Sequence, residues 1–455
     1  MSHISNPTHA HPVRRPSALA ALIALGLAVQ PMGLAPSTPD VHLTTAGERT
    51  LPAPPTVARR HSTGSTGPNS TVSRVSKVSP RPPEDAPVVI AVPSEIPTTD
   101  VTSTTTPTAA PIPDPFASIT SPDVGDHCAQ GLGADDLTDF FSEPIGPLQG
   151  ADYQRALRLD DDRVLWTFQD AFISGTLVHN VGVLQSGRCF TVLNDGARSW
   201  LFAETTVHKH QWYWILDGAQ ASDRSIHLFV AQMNERGSSY LGHTEPTRLR
   251  RVVLDAMTLE VVSVVDEPPT GTDLYGWAVT SDESYTYLYS HCYRQFGFEP
   301  PFGFDACSED VKLARVPTGS FDGPREYWDG SGWTNDHAHA QPVVDESFVV
   351  SGNNPAQVRF DGDRFLLVEK REDWWGTTVE FGVADAPQGP FRHVISVEEP
   401  RKCELWKCNT YFAAWLPWTD PSGAHIWSIS HNRWNGAETS SHLDVYRPTF
   451  QTVTL

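Results

Sequence analysis

Two short segments decide the fold of this chain: GADYQ at residues 150–154 and LWTFQDAF at residues 165–172. Each places one carboxylate, Asp152 or Asp170, beside aromatic residues in a run of strand-forming side chains. The acidic stretch Asp160–Asp162 lies between them and is typical of a turn. We therefore predict a β-hairpin that brings Asp152 and Asp170 onto neighbouring strands.

Short strand-forming runs continue from residue 150 to the end of the chain, bounded mostly by Gly, Pro, Asp or Asn. They fall into five clusters, at residues 156–193, 211–265, 276–316, 356–397 and 411–446. Clusters of a few strands, averaging about 60 residues each, suit the blades of a propeller. The sequence therefore predicts an all-β fold, a five-bladed β-propeller over residues 126–455. We expect residues 449–455 to pair with the first blade and close the ring.

The first 125 residues are built differently. Arg14 and Arg15 precede an apolar run, Ala18 to Val29, which is shorter than the roughly 20 residues that span a bilayer. This pattern predicts a signal peptide over residues 1–35, with an uncleaved anchor as the alternative. Residues 36–125 are rich in Pro, Thr and Ser, which predicts a disordered linker. We therefore expect a secreted or cell-surface protein.

The charge of the chain is concentrated in the remaining residues. Residues 1–125 hold eight basic and eight acidic side chains, so the formal charge of −21 arises in residues 126–455, from 25 basic and 46 acidic residues. Such acidity argues against nucleic acid or an anionic membrane surface as a partner. A neutral polysaccharide or oligosaccharide is compatible with it, and so is a secreted protein kept soluble by charge. We expect a monomer without a cofactor.

Six cysteines in an exported chain predict disulfides. Cys403 and Cys408 are close enough to close a small loop, and Cys292 and Cys307 bracket a loop rich in phenylalanine. The remaining two, Cys128 and Cys189, would tie the start of the domain to its first sheet. The spacings do not resemble a structural zinc site.

Asp152 and Asp170 are the candidate catalytic pair. Two carboxylates on neighbouring strands of an aromatic-rich β domain suit glycoside hydrolysis, in which one acts as acid with a raised pKa and the other as base or nucleophile. The alternative is structural: Asp170 would cap a strand end and Asp152 would lie in a turn.

Several segments together resemble a known family. They are GAD at residues 150–152, VLWTFQD at 164–170, REYWDG at 325–330, ADAPQGPF at 384–391, TYFAAW at 410–415 and SISHN at 428–432. The chain resembles secreted five-bladed propellers related to bacterial endo-D-arabinofuranosidases, and more distantly the arabinanase and levansucrase class of glycoside hydrolases. The resemblance implies that carboxylates at the start of the first blade face the central axis and the substrate cleft.

Other side chains are candidates for binding substrate. Asp273 would begin the inner strand of the third blade, where it could tune a pKa or bind a hydroxyl, and His291 could line the central cavity. Trp374 and Trp375 lie in a charged loop and could stack on sugar rings. The side chains of Asn353 and Arg359 could hydrogen-bond sugar hydroxyls. For the tryptophans the alternative is packing, and for His291 it is a structural hydrogen bond.

Two histidine pairs, His208 with His210 and His337 with His339, would each point to one face of a strand. No third ligand is evident, so we expect no metal.

The leading hypothesis is hydrolysis of a furanose-containing, arabinan-like polysaccharide. A non-catalytic propeller that binds glycan or protein is the first rival, favoured by Gln169 and Ala171, where the family resemblance would place Gly and Thr. A metal-dependent hydrolase using the histidine segments is the second.

Overall fold

The computed structural model describes residues 116–203, 211–236, 243–291, 311–343, 355–371, 376–404, 407–433 and 439–455. Over these ranges the chain forms a five-bladed β-propeller, as the sequence predicts: five antiparallel sheets are arranged so that one strand of each lies near a common axis. No helix in these ranges is both long enough and apolar enough to cross a membrane.

The first blade contains the predicted hairpin. Its strands are β1 (His127–Cys128), β2 (Leu148–Ala151), β3 (Arg155–Arg158), β4 (Val164–Ile173), β5 (Thr176–Ser186) and β6 (Cys189–Val192). Both β2 and β3 pair with β4, so together they form one interrupted inner strand. The hairpin turn is closed by the hydrogen bond from the Leu159 amide to the Arg163 carbonyl, with Asp162 in the left-handed region at φ 64°.

Blades two to five each continue from an inner strand outward. The second blade holds β7 (Gln211–Gln220), β8 (Ser225–Arg236), β9 (His243–Asp255) and β10 (Val261–Asp266). The third holds β11 (Leu274–Ser281), β12 (Tyr285–His291), β13 (Leu313–Pro317), β14 (Glu326–Trp328) and β15 (Trp333–Thr334). The fourth holds β16 (Gln357–Phe360), β17 (Phe365–Lys370), β18 (Thr378–Ala384) and β19 (Arg392–Glu398). The fifth holds β20 (Cys408–Thr419), β21 (His425–Arg433) and β22 (Thr449–Val453).

The predicted pairing of the last strand was wrong. Strand β22 pairs with β21 in the fifth blade, with Thr449 opposite Ile429. It follows β21 in the chain and continues the same antiparallel sheet outward. A helix that the sequence analysis did not predict, α1 (Ala134–Phe141), packs on β22. Phe141 lies 5.2 Å from Phe450, ring centroid to ring centroid, and Thr138 exchanges hydrogen bonds with the Phe450 backbone. The ends of the propeller are therefore joined by this packing.

The first described residues also belong to the packed domain, which begins earlier than the expected boundary at residue 126. Phe116 is 3% exposed, and its carbonyl accepts from the Thr419 amide at 3.0 Å. The Val124 amide donates to the Ser186 carbonyl. A Cys128–Cys189 disulfide follows, joining β1 to β6, and a second disulfide joins Cys403 to Cys408.

Large aromatic side chains fill the spaces within and between the blades. Trp166, Trp277, Trp415 and Trp427 are each at most 1% exposed, and burying such side chains is a large apolar contribution to folding. Trp166 contacts Trp418 of the fifth blade, and Trp277 belongs to the apolar cluster of the inner strands. The positions around the axis are thereby fixed on a densely packed scaffold.

Candidate functional site

The hairpin brings Asp152 and Asp170 into direct contact. Asp152 lies in the break between β2 and β3, and Asp170 lies within β4. The Asp152 amide donates to the Asp170 carbonyl at 3.0 Å, and the Asp170 amide donates to Oδ1 of Asp152 at 3.2 Å. The two carboxylates therefore share one edge of the first blade, and their catalytic roles remain a prediction.

Asp152 occupies the drier environment of the two. Its side chain accepts a 2.6 Å hydrogen bond from the Tyr411 hydroxyl and another from the Tyr446 hydroxyl, and the residue is 6% exposed. Burial, together with the charge of Asp170, raises the pKa of Asp152 to about 8, and the hydrogen bonds from the two tyrosine hydroxyls oppose this shift. Burial therefore favours the protonated form of Asp152, the state that a general acid requires.

Asp170 is partly exposed and is held by two ring nitrogens. Its Oδ1 atom accepts a 2.7 Å hydrogen bond from Nε1 of Trp214 on β7. Nδ1 of His179 also contacts this oxygen, and His179 lies directly opposite Asp170 on β5. The Asp170 side chain retains 22% exposure. It therefore has the fixed orientation and the solvent access that a base or nucleophile needs.

Three side chains of the site are each followed by a residue in the left-handed region. Tyr153 follows Asp152, Asn180 follows His179, and Phe412 follows Tyr411, with φ of 48°, 53° and 47°. Non-glycine residues in this conformation cost of order 1–3 kcal/mol each and cluster at functional sites. Tyr153 lies in the break between β2 and β3 and Phe412 lies at a register shift in β20, whereas β5 keeps one register on both sides of Asn180.

Buried side-chain hydrogen bonds hold these left-handed conformations in place. The Tyr153 amide donates to Oγ of Ser430 at 2.9 Å. The same hydroxyl donates to Gln154, whose amide donates to Ser428 at 2.8 Å. Asn180 is fully buried and accepts from the Leu201 amide at 2.7 Å. The fifth blade thus fixes the backbone beside Asp152.

Aromatic rings surround the carboxylate pair. His179 stacks on Trp212 at 5.3 Å, and Trp212 meets Trp214 edge-on at 5.9 Å. Tyr153 stacks on Phe412 at 4.9 Å with an interplanar angle of 29°. Because these rings are themselves buried, they exclude water from the carboxylates.

The other described substrate-binding candidates have partners within the protein. Asp273 precedes β11, is 8% exposed, and binds Nζ of Lys312 at 2.8 Å and Nε2 of His337 at 3.2 Å. His291 ends β12 and lies edge-on to Trp277 at 5.2 Å. Nη2 of Arg359 donates to the Ala156 carbonyl at 3.0 Å, and Arg359 therefore lies further along the axis than Asp152.

The remaining candidates stay predictions. Trp374, Trp375 and Asn353 lie outside the described residues, as do Cys292, Cys307, His208 and His210. The expectation of a strand at residues 337–339 was wrong, because the Asp336 side chain accepts from the Ala338 amide and starts a 3-10 helix, His337–His339. Within the described ranges, no group of three or more His, Cys, Asp or Glu side chains is arranged to hold a metal ion.

The sequence analysis missed four residues that contact the pair: His179, Trp214, Tyr411 and Tyr446. The register could have suggested His179, since β4 and β5 keep one continuous antiparallel register in which His179 pairs with Asp170. Both tyrosines come from the fifth blade, Tyr411 on β20 and Tyr446 between β21 and β22, far from Asp152 in the chain. No local pattern indicates such contacts.

Comparisons with known proteins agree with this architecture. The family described as "Domain of unknown function (DUF5005)" matches residues 135–454. A protein from Bacteroides ovatus ATCC 8483, provisionally described as a hydrolase, has a similar structure, with a TM-score of 0.53 and 16% identity over 70% of this chain and 89% of that one. At 16% identity, this similarity shows a shared fold and nothing further.

Two further structures match with lower scores. One is a GH43_1 enzyme from Xanthomonas citri complexed with xylotriose, at TM-score 0.38 and 14% identity over 68% of this chain and 88% of that one. The other is a xylan β-1,4-xylosidase from Bacillus halodurans C-125, with a TM-score of 0.41 and 8% identity over 68% of this chain and 54% of that one. No curated protein matches this chain in sequence.

Proposed function

We propose that this chain, which belongs to the DUF5005 family, is a glycoside hydrolase with Asp152 as general acid and Asp170 as base or nucleophile. The observation that carries the proposal is the contrast between two adjoining carboxyl groups. Asp152 is buried, with a pKa raised to about 8, whereas Asp170 is partly exposed and accepts from Trp214. A pair whose environments differ in this way can divide acid and base roles between its members.

In the proposed reaction, Asp152 donates its proton to the oxygen of the leaving sugar as the glycosidic bond breaks. Asp170 attacks the anomeric carbon directly or removes a proton from the water that does so. His179 and Trp214 position Asp170 for this step. The buried hydroxyls of Tyr411 and Tyr446 stabilise Asp152 after it has lost its proton.

The proposed substrate is a furanose-containing, arabinan-like polysaccharide outside the cell. The resemblance at residues 150–152 and 164–170 supports this class, and an acidic domain is compatible with a neutral polymer. The apolar run at residues 18–29 and the two disulfides support export. We further propose that the protein acts as a monomer.

The test is a panel of arabinans, arabinogalactan, fructans and xylans incubated with the purified full-length chain, with released oligosaccharides measured. Asp152→Asn and Asp170→Asn are the variants, and Asp160→Asn in the exposed hairpin turn is the matched control. We expect release from one polymer, abolished in both site variants and unchanged in the control. Binding of a polymer without release, by folded wild-type protein, would favour the non-catalytic alternative.

A further inference from the structure

Three charged side chains lie along the axis beyond Asp152. Arg155 is on β3, Asp217 on β7 and Arg359 on β16, which are inner strands of three blades. Arg155 and Asp217 are each 2% exposed, and Arg359 is half-buried. Asp217 and Arg359 act electrostatically on Arg155 and on each other, so the three form one charged cluster in the interior.

The Arg155 guanidinium has buried N–H donors without a hydrogen-bond acceptor among the residues that the structure describes. The Nη1 atom of Arg155 donates to the Tyr153 carbonyl at 3.2 Å. The guanidinium carbon, Cζ, lies 4.3 Å from the ring centroid of Phe412 and 5.7 Å from that of Trp277. The Nε and Nη2 atoms are buried and have no hydrogen-bond partner in the described part of the chain. Buried donors of a charged group need an acceptor.

Asp217 is not the acceptor for these Arg155 donors. Its carboxylate accepts from the amides of Gly218 and Val279, at 2.9 and 2.8 Å. The two guanidiniums also outnumber it. Among the described residues at this position, the axis therefore carries excess positive charge, which a buried site balances with a counter-ion.

A cavity leads from solvent to Arg359, the member of this cluster that lines it. It has a volume of about 680 Å³ and is lined where the inner strands end, by Leu157, Gly218, Val279, Arg359 and Pro417 among others. Asp152 and Tyr411 lie toward the starts of their inner strands, so the cavity opens on the opposite face from the carboxylate pair. Small ions can therefore reach Arg359 without passing the proposed substrate cleft.

We propose that the axis of the propeller holds a halide-sized monovalent anion, bound by the guanidiniums of Arg155 and Arg359. The two guanidiniums disfavour a cation, and the free donors of Arg155 supply the hydrogen bonds that an anion accepts. The site is distinct from the carboxylate pair and does not depend on the proposed hydrolytic activity.

Anomalous diffraction tests the site directly on wild-type protein. Crystals of the full-length chain would be grown or soaked in sodium bromide, and bromine positions located from the anomalous signal. We expect a bromide within hydrogen-bond distance of Nε or Nη2 of Arg155. Bromide found on the surface alone, with the axial position holding water or nothing, would overturn the proposal.

Thermal unfolding tests it in solution. The melting temperature of the full chain would be followed in sodium chloride and in sodium gluconate at equal ionic strength. We expect chloride to raise the melting temperature saturably, because an anion that binds only the folded state stabilises it. The rise should vanish in Arg155→Met and in Arg359→Met.

Arg392→Met is the matched control, because Arg392 is exposed on the outer strand β19 and its loss changes the net charge equally. This variant should keep the wild-type chloride response. Where Arg155→Met fails to fold, Arg359→Met decides the question. An equal chloride response in wild type and all folded variants would contradict the proposal, as would no response in wild type.

Discussion

The hydroxyl of Tyr411 donates a 2.6 Å hydrogen bond to Oδ2 of Asp152 and so joins the fifth blade to the first. The residues that follow them, Phe412 and Tyr153, stack on each other. The Ala151 amide also donates to the Tyr446 carbonyl at 2.7 Å. The candidate acid is thus built at the seam where the propeller ring closes, so its environment depends on the complete ring.

Removing this hydroxyl should raise the pKa of Asp152 further, because the hydrogen bond favours the ionised form. In Tyr411→Phe the alkaline limb of the pH–activity profile should therefore move to higher pH. The loss of one hydrogen bond should cost roughly 0.5–1.5 kcal/mol of folding stability. Tyr285→Phe, in the third blade, is the control and should leave the limb in place. A shift to lower pH in Tyr411→Phe would contradict this account.

The raised pKa of Asp152 also predicts a pH-dependent stability. Between the ordinary carboxyl pKa and about 8, the folded protein binds this proton more tightly than the unfolded chain does. The stability that Asp152 contributes is therefore fully present at low pH and falls as the pH rises toward 8. Asp152→Asn carries no such charge, so its free energy of unfolding should increase relative to wild type across this window.

Urea unfolding of both proteins at pH values from about 4 to 9 measures this difference, at about 1.4 kcal/mol for each pKa unit. Asp161→Asn, in the hairpin turn, controls for the substitution. A difference between Asp152→Asn and wild type that stays constant over the whole range would show that the Asp152 pKa is not raised by folding.

His179 should act by positioning Asp170. In His179→Ala the carboxylate loses one of its two ring partners, and we expect kcat/KM to fall on the order of 10- to 100-fold, as misplacement of a reacting group does. His179→Asn offers an amide N–H close to the position of Nδ1 and should recover part of the loss. Steady-state kinetics of the two variants measure this; equal losses in both would argue for a different role.

Asn180 provides a test of the left-handed backbone conformation beside the site. Alanine and glycine both remove its side-chain hydrogen bonds, including those to Leu201 and Tyr213. Only alanine must also occupy the left-handed region, which costs roughly 1–2 kcal/mol. Asn180→Ala should therefore be less stable than Asn180→Gly by about that amount, measured by denaturant unfolding. Equal stability of the two variants would mean that the conformation at this position relaxes.

The parts of the site that could be predicted from sequence are local ones. The hairpin between β3 and β4 needs only residues 155–173, whose alternation and acidic turn are visible in the sequence. Tyr411 lies 259 residues from Asp152, and its contact arises only when the ring closes. The packing of α1 on β22 likewise joins segments that are far apart in the chain, with Phe141 against Phe450.

The division of roles between Asp152 and Asp170 is tested most directly by the acidity of the leaving group. Both Asn variants would be compared on the polymer that the panel identifies and on the matching 2,4-dinitrophenyl furanoside, whose leaving group needs no protonation. Asp152→Asn should lose about 10²- to 10⁴-fold on the polymer, as loss of a general acid does, and little on the dinitrophenyl substrate. Asp170→Asn should lose activity on both. An Asp152→Asn enzyme equally impaired on the two substrates would contradict its assignment as the acid.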